Sequence, residues 1–204
     1  LISVPNSLLT RAGRMKTMKT WQNFASASGA AVTTWNHDAQ RGFLASKRHA
    51  DNQGPNYTYT SAGRLATRVW ARGVTTTYAR NNAGELSGIT YTGAVTPAVG
   101  YTFDRRGRQT TVTQGANTTV RAYNDAGQLL SESYTAGLLN GLSVTNEFDS
   151  LLRRTALNSF HNSSLILHTS YAYDVASRLQ TVSDGTNNAT YTFLANSPLV
   201  DNVV

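Results

Sequence analysis

The sequence predicts an all-β protein built from tandem antiparallel β-hairpins in a curved, twisted sheet. Three observations carry that expectation. The 204 residues are 40% hydrophobic but only 14% charged, so the polar surface rests on 28 Thr, 18 Ser and 17 Asn. Thr and Tyr in quantity, with 16 Gly, suit pleated strands joined by many turns. A short aromatic–turn pattern then recurs along the chain with a spacing that fits one hairpin per copy.

The same composition excludes other classes. Disorder is usually poor in aromatic residues, and this chain has 19. A coiled coil or helical bundle would be rich in Lys and Glu, of which there are three each. No stretch approaches the roughly 18 apolar residues of a membrane helix, so no membrane insertion is expected. With no cysteine, there is neither a disulfide framework nor a thiolate metal site.

The repeats follow one another as aromatic–Asx–x–x–Gly–Arg–Leu variants. A weak first copy is Trp35-Asn-His37-Asp38, preceded by a remnant at Ala12-Gly13-Arg14-Met15. Tyr57-Thr-Tyr59 leads to Gly63-Arg64-Leu65, and Tyr78-Ala-Arg80-Asn81 leads to Gly84-Glu85-Leu86. Next come Tyr101-Thr-Phe103-Asp104 with Gly107-Arg108, and Tyr123-Asn124-Asp125 with Gly127-Gln128-Leu129. Phe148-Asp149 with Leu152-Arg153 and Tyr171-Ala-Tyr173-Asp174 with Ser177-Arg178-Leu179 complete the series, and Tyr191-Thr-Phe193 opens another. Anchored on the residue before the Asx position, the copies lie at 37, 59, 80, 103, 123, 148, 173 and 193, at intervals of 20 to 25 residues. That length is too short for most helical solenoid units and suits two strands and two turns.

Each part of a copy has a physical reason. Alternation such as Tyr57-Thr-Tyr59 sends the rings to one face of a strand. Asx-x-x-Gly supplies a turn-capping side chain and a residue that accepts positive φ. Arg-Leu begins the return strand, and Arg72-Gly73, Gly115-Ala116-Asn117 and Ser183-Asp184-Gly185-Thr186 form second turns. The expected layout is one array over residues 1–204. It has a degenerate region at 1–34, recognisable repeats at 35–193 and the start of a further repeat at 194–204.

These residues resemble the Rhs or YD-repeat family, named for Tyr-Asp within Tyr-x-Tyr-Asp-x-x-Gly-Arg-Leu. Tyr171 to Leu179 matches best, with Ser177 where Gly is expected. The resemblance runs from about Trp35 to Phe193 and implies a segment of a hollow, spiral β-shell. Members are long secreted or surface proteins, some of which enclose a C-terminal toxic domain, and related repeats occur in teneurin adhesion receptors. The Pro- and Asp-containing core segment and self-cleavage site of toxin-bearing members are absent, so the resemblance assigns no cargo. It implies an extracellular or cell-surface location.

Candidate chemistry is sparse. Asp38, Asp104, Asp149 and Asp174 share one repeat position with Asn81 and Thr60, as turn caps do and general acids do not. Arg14, Arg64, Arg108, Arg153 and Arg178 follow the turns, where pairing with the turn Asp or stacking on a Tyr is expected. His37 fills an aromatic position, and His161 and His168 match no zinc spacing. No nucleophile-elbow or P-loop pattern occurs. The chain is read as non-catalytic, with no cofactor and no metal. Four Asn-x-Ser/Thr sequons are what chance predicts for this composition, so they inform nothing.

Charge is uneven. Residues 1–80 hold 11 basic and 2 acidic side chains, whereas residues 81–204 hold 7 and 9. All three tryptophans lie in the basic part, so Trp21, Trp35 and Trp70 with Arg68 and Arg72 form a candidate ligand surface for a glycan. Without a recognition fold or dense Lys/Arg run, nucleic acid is not the expected partner. About 16 strands at roughly 4.8 Å make a ribbon with two open edges. Flanking repeats or other chains are the partners that would cover them. The first residues, Leu1-Ile2-Ser3-Val4-Pro5, carry no signal pattern, and the chain reads as an internal piece of a longer polypeptide.

Overall fold

The computed structural model describes residues 6–23, 25–93 and 95–204, so Leu1–Pro5 lie outside the described residues. It is all-β, with eighteen strands and a single 3-10 turn (Gly137–Leu139) among the described residues. The chain divides into two compact units, Leu1–Ala98 and Val99–Val204.

The first unit contains β1 (Asn6–Leu9), β2 (Met15–Asn23), β3 (Ser28–His37), β4 (Leu44–Arg48), β5 (Asn56–Tyr59), β6 (Leu65–Val69), β7 (Thr75–Arg80) and β8 (Leu86–Tyr91). Each strand pairs antiparallel with the next in sequence. The second unit contains β9 (Val99–Phe103), β10 (Gln109–Gln114), β11 (Asn117–Tyr123), β12 (Leu129–Thr135) and β13 (Leu142–Phe148). It continues with β14 (Arg154–His161), β15 (Ser164–Tyr173), β16 (Leu179–Ser183), β17 (Asn188–Phe193) and β18 (Val200–Val203). Pairing is again antiparallel and sequential from β9 to β18. Eighteen strands exceed the sixteen expected because the remnant at Ala12–Met15 is a complete turn between β1 and β2, and β18 returns from the final copy.

One turn recurs throughout. The Asx-position N–H donates to the carbonyl four residues on, and its own carbonyl accepts the N–H of the third residue. This holds for Thr10/Arg14, Thr60/Arg64, Asn81/Glu85, Asp104/Arg108, Asn124/Gln128, Asp149/Arg153 and Asp174/Arg178. At Asp38 the loop is one residue longer, closing on Phe43. Each such turn shifts the register by one residue beside its anchor, as between Thr58 and Tyr59 or Ala172 and Tyr173. The extra residue is a bulge, which bends the strand and strengthens its twist. The third position takes positive φ, through Gly63, Gly107 and Gly127 but also Leu152 (φ 64°) and Ser177 (φ 61°). The turn therefore imposes the left-handed conformation even where the sequence lacks glycine.

Burial is shallow. No side chain among the described residues is both large and fully buried, and the buried apolar residues are Pro55 and Ala156. Thr76, Asn146 and Asn158 are buried polar groups. The strands pack chiefly against their sequence neighbours, so stability must come from contacts between successive hairpins.

Candidate functional site

The contacts between turns form a ladder. Rings at anchor positions sit on the more covered face while their neighbours point outward: Tyr171 and Tyr173 are half-buried and Ala172 is exposed, as with Tyr57, Tyr59 and Thr58. Phe103, Tyr123 and Phe148 occupy the same position and are also half-buried. Each anchor tyrosine reaches back one hairpin. The hydroxyls of Tyr59, Tyr123 and Tyr173 donate to the carbonyls of Leu44, Gln109 and Arg154 at 2.8–3.0 Å. In every case the acceptor is the first residue after the preceding turn.

The arginines reach forward. Arg108 Nε donates to its own turn's Asp104 Oδ2 at 2.6 Å, its guanidinium lies 4.7 Å from the Tyr123 ring, and Nη1 donates to Asn124 O at 2.8 Å. Arg153 pairs with Asp149, covers Tyr173 at 4.6 Å and reaches Ser177 Oγ. Arg178 pairs with Asp174, covers Phe193 at 4.4 Å and donates to Ser197 O at 2.7 Å. One side chain thus ties a turn acid, the next ring and the next turn together. A cation over a ring contributes about 0.5–1 kcal/mol when exposed and more when desolvated.

Close approach explains two glycines. A Cβ on Gly84 would lie 1.6 Å from Nη1 of Arg64, and one on Gly42 would lie 1.4 Å from Nη1 of Arg14. Both glycines also have positive φ, 84° and 73°. The arginine of one turn occupies the space that a side chain on the next turn would need.

The turn acids are tuned as caps. Donation from the backbone N–H of Arg41 lowers the Asp38 carboxyl, and the N–H groups of Arg153 and Arg178 do the same for Asp149 and Asp174. For Asp104 partial burial pushes upward, but donation from the Arg108 backbone and side chain outweighs it. Asp184, in a second turn, is held at about 2, chiefly by the N–H of Asn187. All remain ionised at neutral pH and spend their lone pairs on the turn.

The candidate ligand residues separate into groups. Trp70, Arg68 and Arg72 come together, with guanidinium carbons 3.5 and 5.6 Å from the Trp70 ring. Trp70 Nε1 donates to the buried Thr76 Oγ1 at 2.9 Å, and Arg68 also lies 5.9 Å from the Tyr57 ring. Arg68 Nε is buried without a partner. Trp35 stands apart on β3, beneath Lys47 Nζ at 5.2 Å, and Trp21 is half-buried on β2.

Two networks escaped the repeat pattern. Arg121 Nε donates to Glu132 Oε2 at 2.6 Å, while Arg121 also binds Gln109 and the Tyr134 hydroxyl donates to Glu132. Burial pushes the Glu132 carboxyl up, but Tyr134 and Arg121 together hold it below its ordinary value. Arg48 Nη1 donates to the carbonyls of Lys47, Gly54 and Pro55, fastening the loop between β4 and β5. Cross-strand register alone brings Arg121 opposite Glu132, so only strand pairing could have revealed it.

The described residues contain no group of three His, Cys, Asp or Glu side chains able to hold a metal ion, and no helix long and apolar enough to cross a membrane. The sequence matches no protein-family profile and no curated protein. Solved structures do match. A chain of the crystal structure of TcdB2-TccC3 is 14% identical, with 94% of this chain and 13% of that one covered and a TM-score of 0.61. A chain of the TcdB2-TccC3-Cdc42 structure is 15% identical over 91% and 12%, with a TM-score of 0.60. One from the Photorhabdus luminescens Tc holotoxin pore, carrying the mutation TccC3-D651A, is 16% identical over 85% and 10%, at 0.57. This chain therefore spans 10–13% of the length of these three chains. At such identities the likeness is one of fold, and it agrees with the Rhs/YD resemblance of the turns. In fold, the chain is an all-β array of antiparallel hairpin repeats of the kind present in these Tc toxin chains.

Proposed function

We propose that this chain is a non-catalytic wall segment of a longer secreted or cell-surface protein. Its stacked hairpins enclose or display a cargo or toxin domain supplied by the rest of that protein. The observation that carries this reading is the forward-reaching arginine. Arg108, Arg153 and Arg178 each fasten one hairpin to the next, so the structure is specified as a repeat and not as a closed core. Such an array has no natural end, because every hairpin is completed by its neighbours. Open sheet edges then call for flanking repeats or other chains as partners.

The likeness to chains of Tc toxin assemblies supports the same role. The turn carboxylates oppose a catalytic role, since their oxygens are committed to turn N–H groups. Electron microscopy of the full-length protein tests the proposal. A hollow particle whose wall contains residues 6–204 is expected, and a compact solid core over this region would overturn it. A panel of esterase, glycosidase and nuclease substrates should show no turnover with the wall segment.

A further inference from the structure

The basic first unit holds a groove that the wall role does not use. It has a volume of about 550 Å³ and is lined by Arg11, Arg14, Lys16, Trp35, His37 and Asp38, among others. The strand register builds its floor. Thr17 of β2 pairs with Thr34 of β3, Lys16 and Trp35 line the same groove, and Trp35 itself pairs with Lys47. An indole ring and a cation therefore lie opposite one another on β3 and β4, one strand spacing of about 4.8 Å apart, and Lys16 of β2 lines the groove beside them. Lys47 Nζ is 5.2 Å from the Trp35 ring.

The cations are uncompensated. All five ion pairs among the described residues involve other side chains, so Arg11, Arg14, Lys16 and Lys47 have no carboxylate partner. Arg14 is held in place by donating Nη1 to Gly42 O at 2.8 Å. Asp38 is the groove's carboxylate, and its charge is already engaged. Its Oδ1 accepts the N–H groups of Gln40, Arg41 and Gly42, and Oδ2 accepts that of Phe43 at 2.8 Å. What remains facing the groove is positive charge around an aromatic ring.

We propose that this groove binds an acidic polysaccharide, a chain of sulfated or uronic-acid sugars. A sugar ring lies against Trp35, with its anionic substituents between Lys16, Lys47 and Arg14. The indole offers a flat apolar surface to the C–H face of a sugar, and the flanking ammonium groups meet oxyanions on either side. A single-stranded nucleic acid would call for a series of stacking rings along a basic track. Here a single tryptophan shares one groove with several cations, which favours the sugar. Trp70 is the poorer platform, because its Nε1 and one ring face are taken up by Thr76 and Arg68. This inference is independent of the wall role and stands or falls separately.

A fluorescently labelled heparin oligosaccharide titrated into the 204-residue chain provides the test. Saturable binding is expected, weakened about tenfold or more in K16Q/K47Q, because two charges facing one oxyanion cluster are lost. The variant K19Q/R80Q, equally neutralised within the basic first unit but outside the groove's lining, should bind within about twofold of the parent. Lys16→Gln alone, on an exposed side chain, keeps the test readable if the double variant fails to fold, and a clear loss is again expected. No binding by the parent chain would overturn the proposal. Equal losses in K16Q/K47Q and K19Q/R80Q would do the same, since they would mark a diffuse charge effect. Displacement of heparin by oligothymidine at equal concentration would assign the groove to nucleic acid instead.

Discussion

The two units build the same turn from different chemistry. In the second, the turns of Asp104, Asp149 and Asp174 close with ion pairs to Arg108, Arg153 and Arg178. In the first, Thr10 and Thr60 cap the equivalent turns through Oγ1, each accepting the N–H of the arginine four residues on at 3.1 Å. At these two turns the arginine persists while the acid is gone. Residues 1–98 carry 11 basic and 3 acidic side chains, and residues 99–204 carry 7 and 8. The comparison teaches that the turn needs an oxygen acceptor and not a charge. What the charge decides is whether the arginine is neutralised within its own turn or left free to meet an outside anion.

The anchor rings provide the largest way to probe this comparison. Tyr173→Ala removes a half-buried ring, its hydroxyl bond to Arg154 O and the surface that Arg153 covers, and should cost about 2–4 kcal/mol in urea unfolding. Tyr59→Ala loses the bond to Leu44 O and the stack on Phe43 at 4.8 Å, and should cost about as much. If the first unit tolerated its loss freely, the ladder would not be common to both.

Backbone strain comes next. Leu152 holds a φ of 64° at the position glycine occupies in other turns, so Leu152→Gly should stabilise by about 1 kcal/mol. The gain should appear as a higher denaturation midpoint, and a loss would show that the exposed leucine side chain contributes more than its backbone costs. The equivalent change has no counterpart at Thr60, whose turn already has Gly63.

Adding the missing acid is a smaller change. Thr60→Asp should let Arg64 form the ion pair that Arg108 makes with Asp104, stabilising the first unit by about 0.3–1 kcal/mol at low salt. The gain should fade as salt is raised. No gain would mean that the Arg64 guanidinium is already better placed over Gly84.

Acid should separate the units by the smallest margin. Asp104, Asp149 and Asp174 have folded-state values below the ordinary 3.8, and Asp184 falls to about 2. Lowered values mean that their stabilisation is present above the unfolded value and is lost as pH falls through the folded ones. Most of these carboxylates lie in the second unit, so circular dichroism between pH 4 and about 2 should report its loosening, with Asp38 making the smaller contribution from the first. Loss of structure already at pH 5 would point to other groups.

Much of the fold was legible in the sequence because each hairpin is specified locally. Alternating rings, an Asx cap and a residue at positive φ recur in copies such as Tyr171–Leu179, and the structure has a hairpin at each. The weakest signals were still correct in kind: Ala12–Met15, lacking both ring and acid, closes the turn between β1 and β2. The candidate surface was less legible. Grouping three tryptophans by composition could not tell that Trp70 turns inward onto Thr76 while Trp35 lines a groove with Lys16. Neither lysine belongs to the repeat pattern, so nothing in the spacing marks it.

By itself, the sequence determined the hairpin repeat, its turns and the charge asymmetry, since these depend on contacts within about five residues or on counting. Tertiary structure decided the partners across strands: Arg108 over Tyr123, Arg121 on Glu132, and Lys47 over Trp35, with Lys16 in the same groove. The physical reason is register. A bulge at each turn shifts the pairing by one residue, and one residue reverses the face on which a side chain emerges.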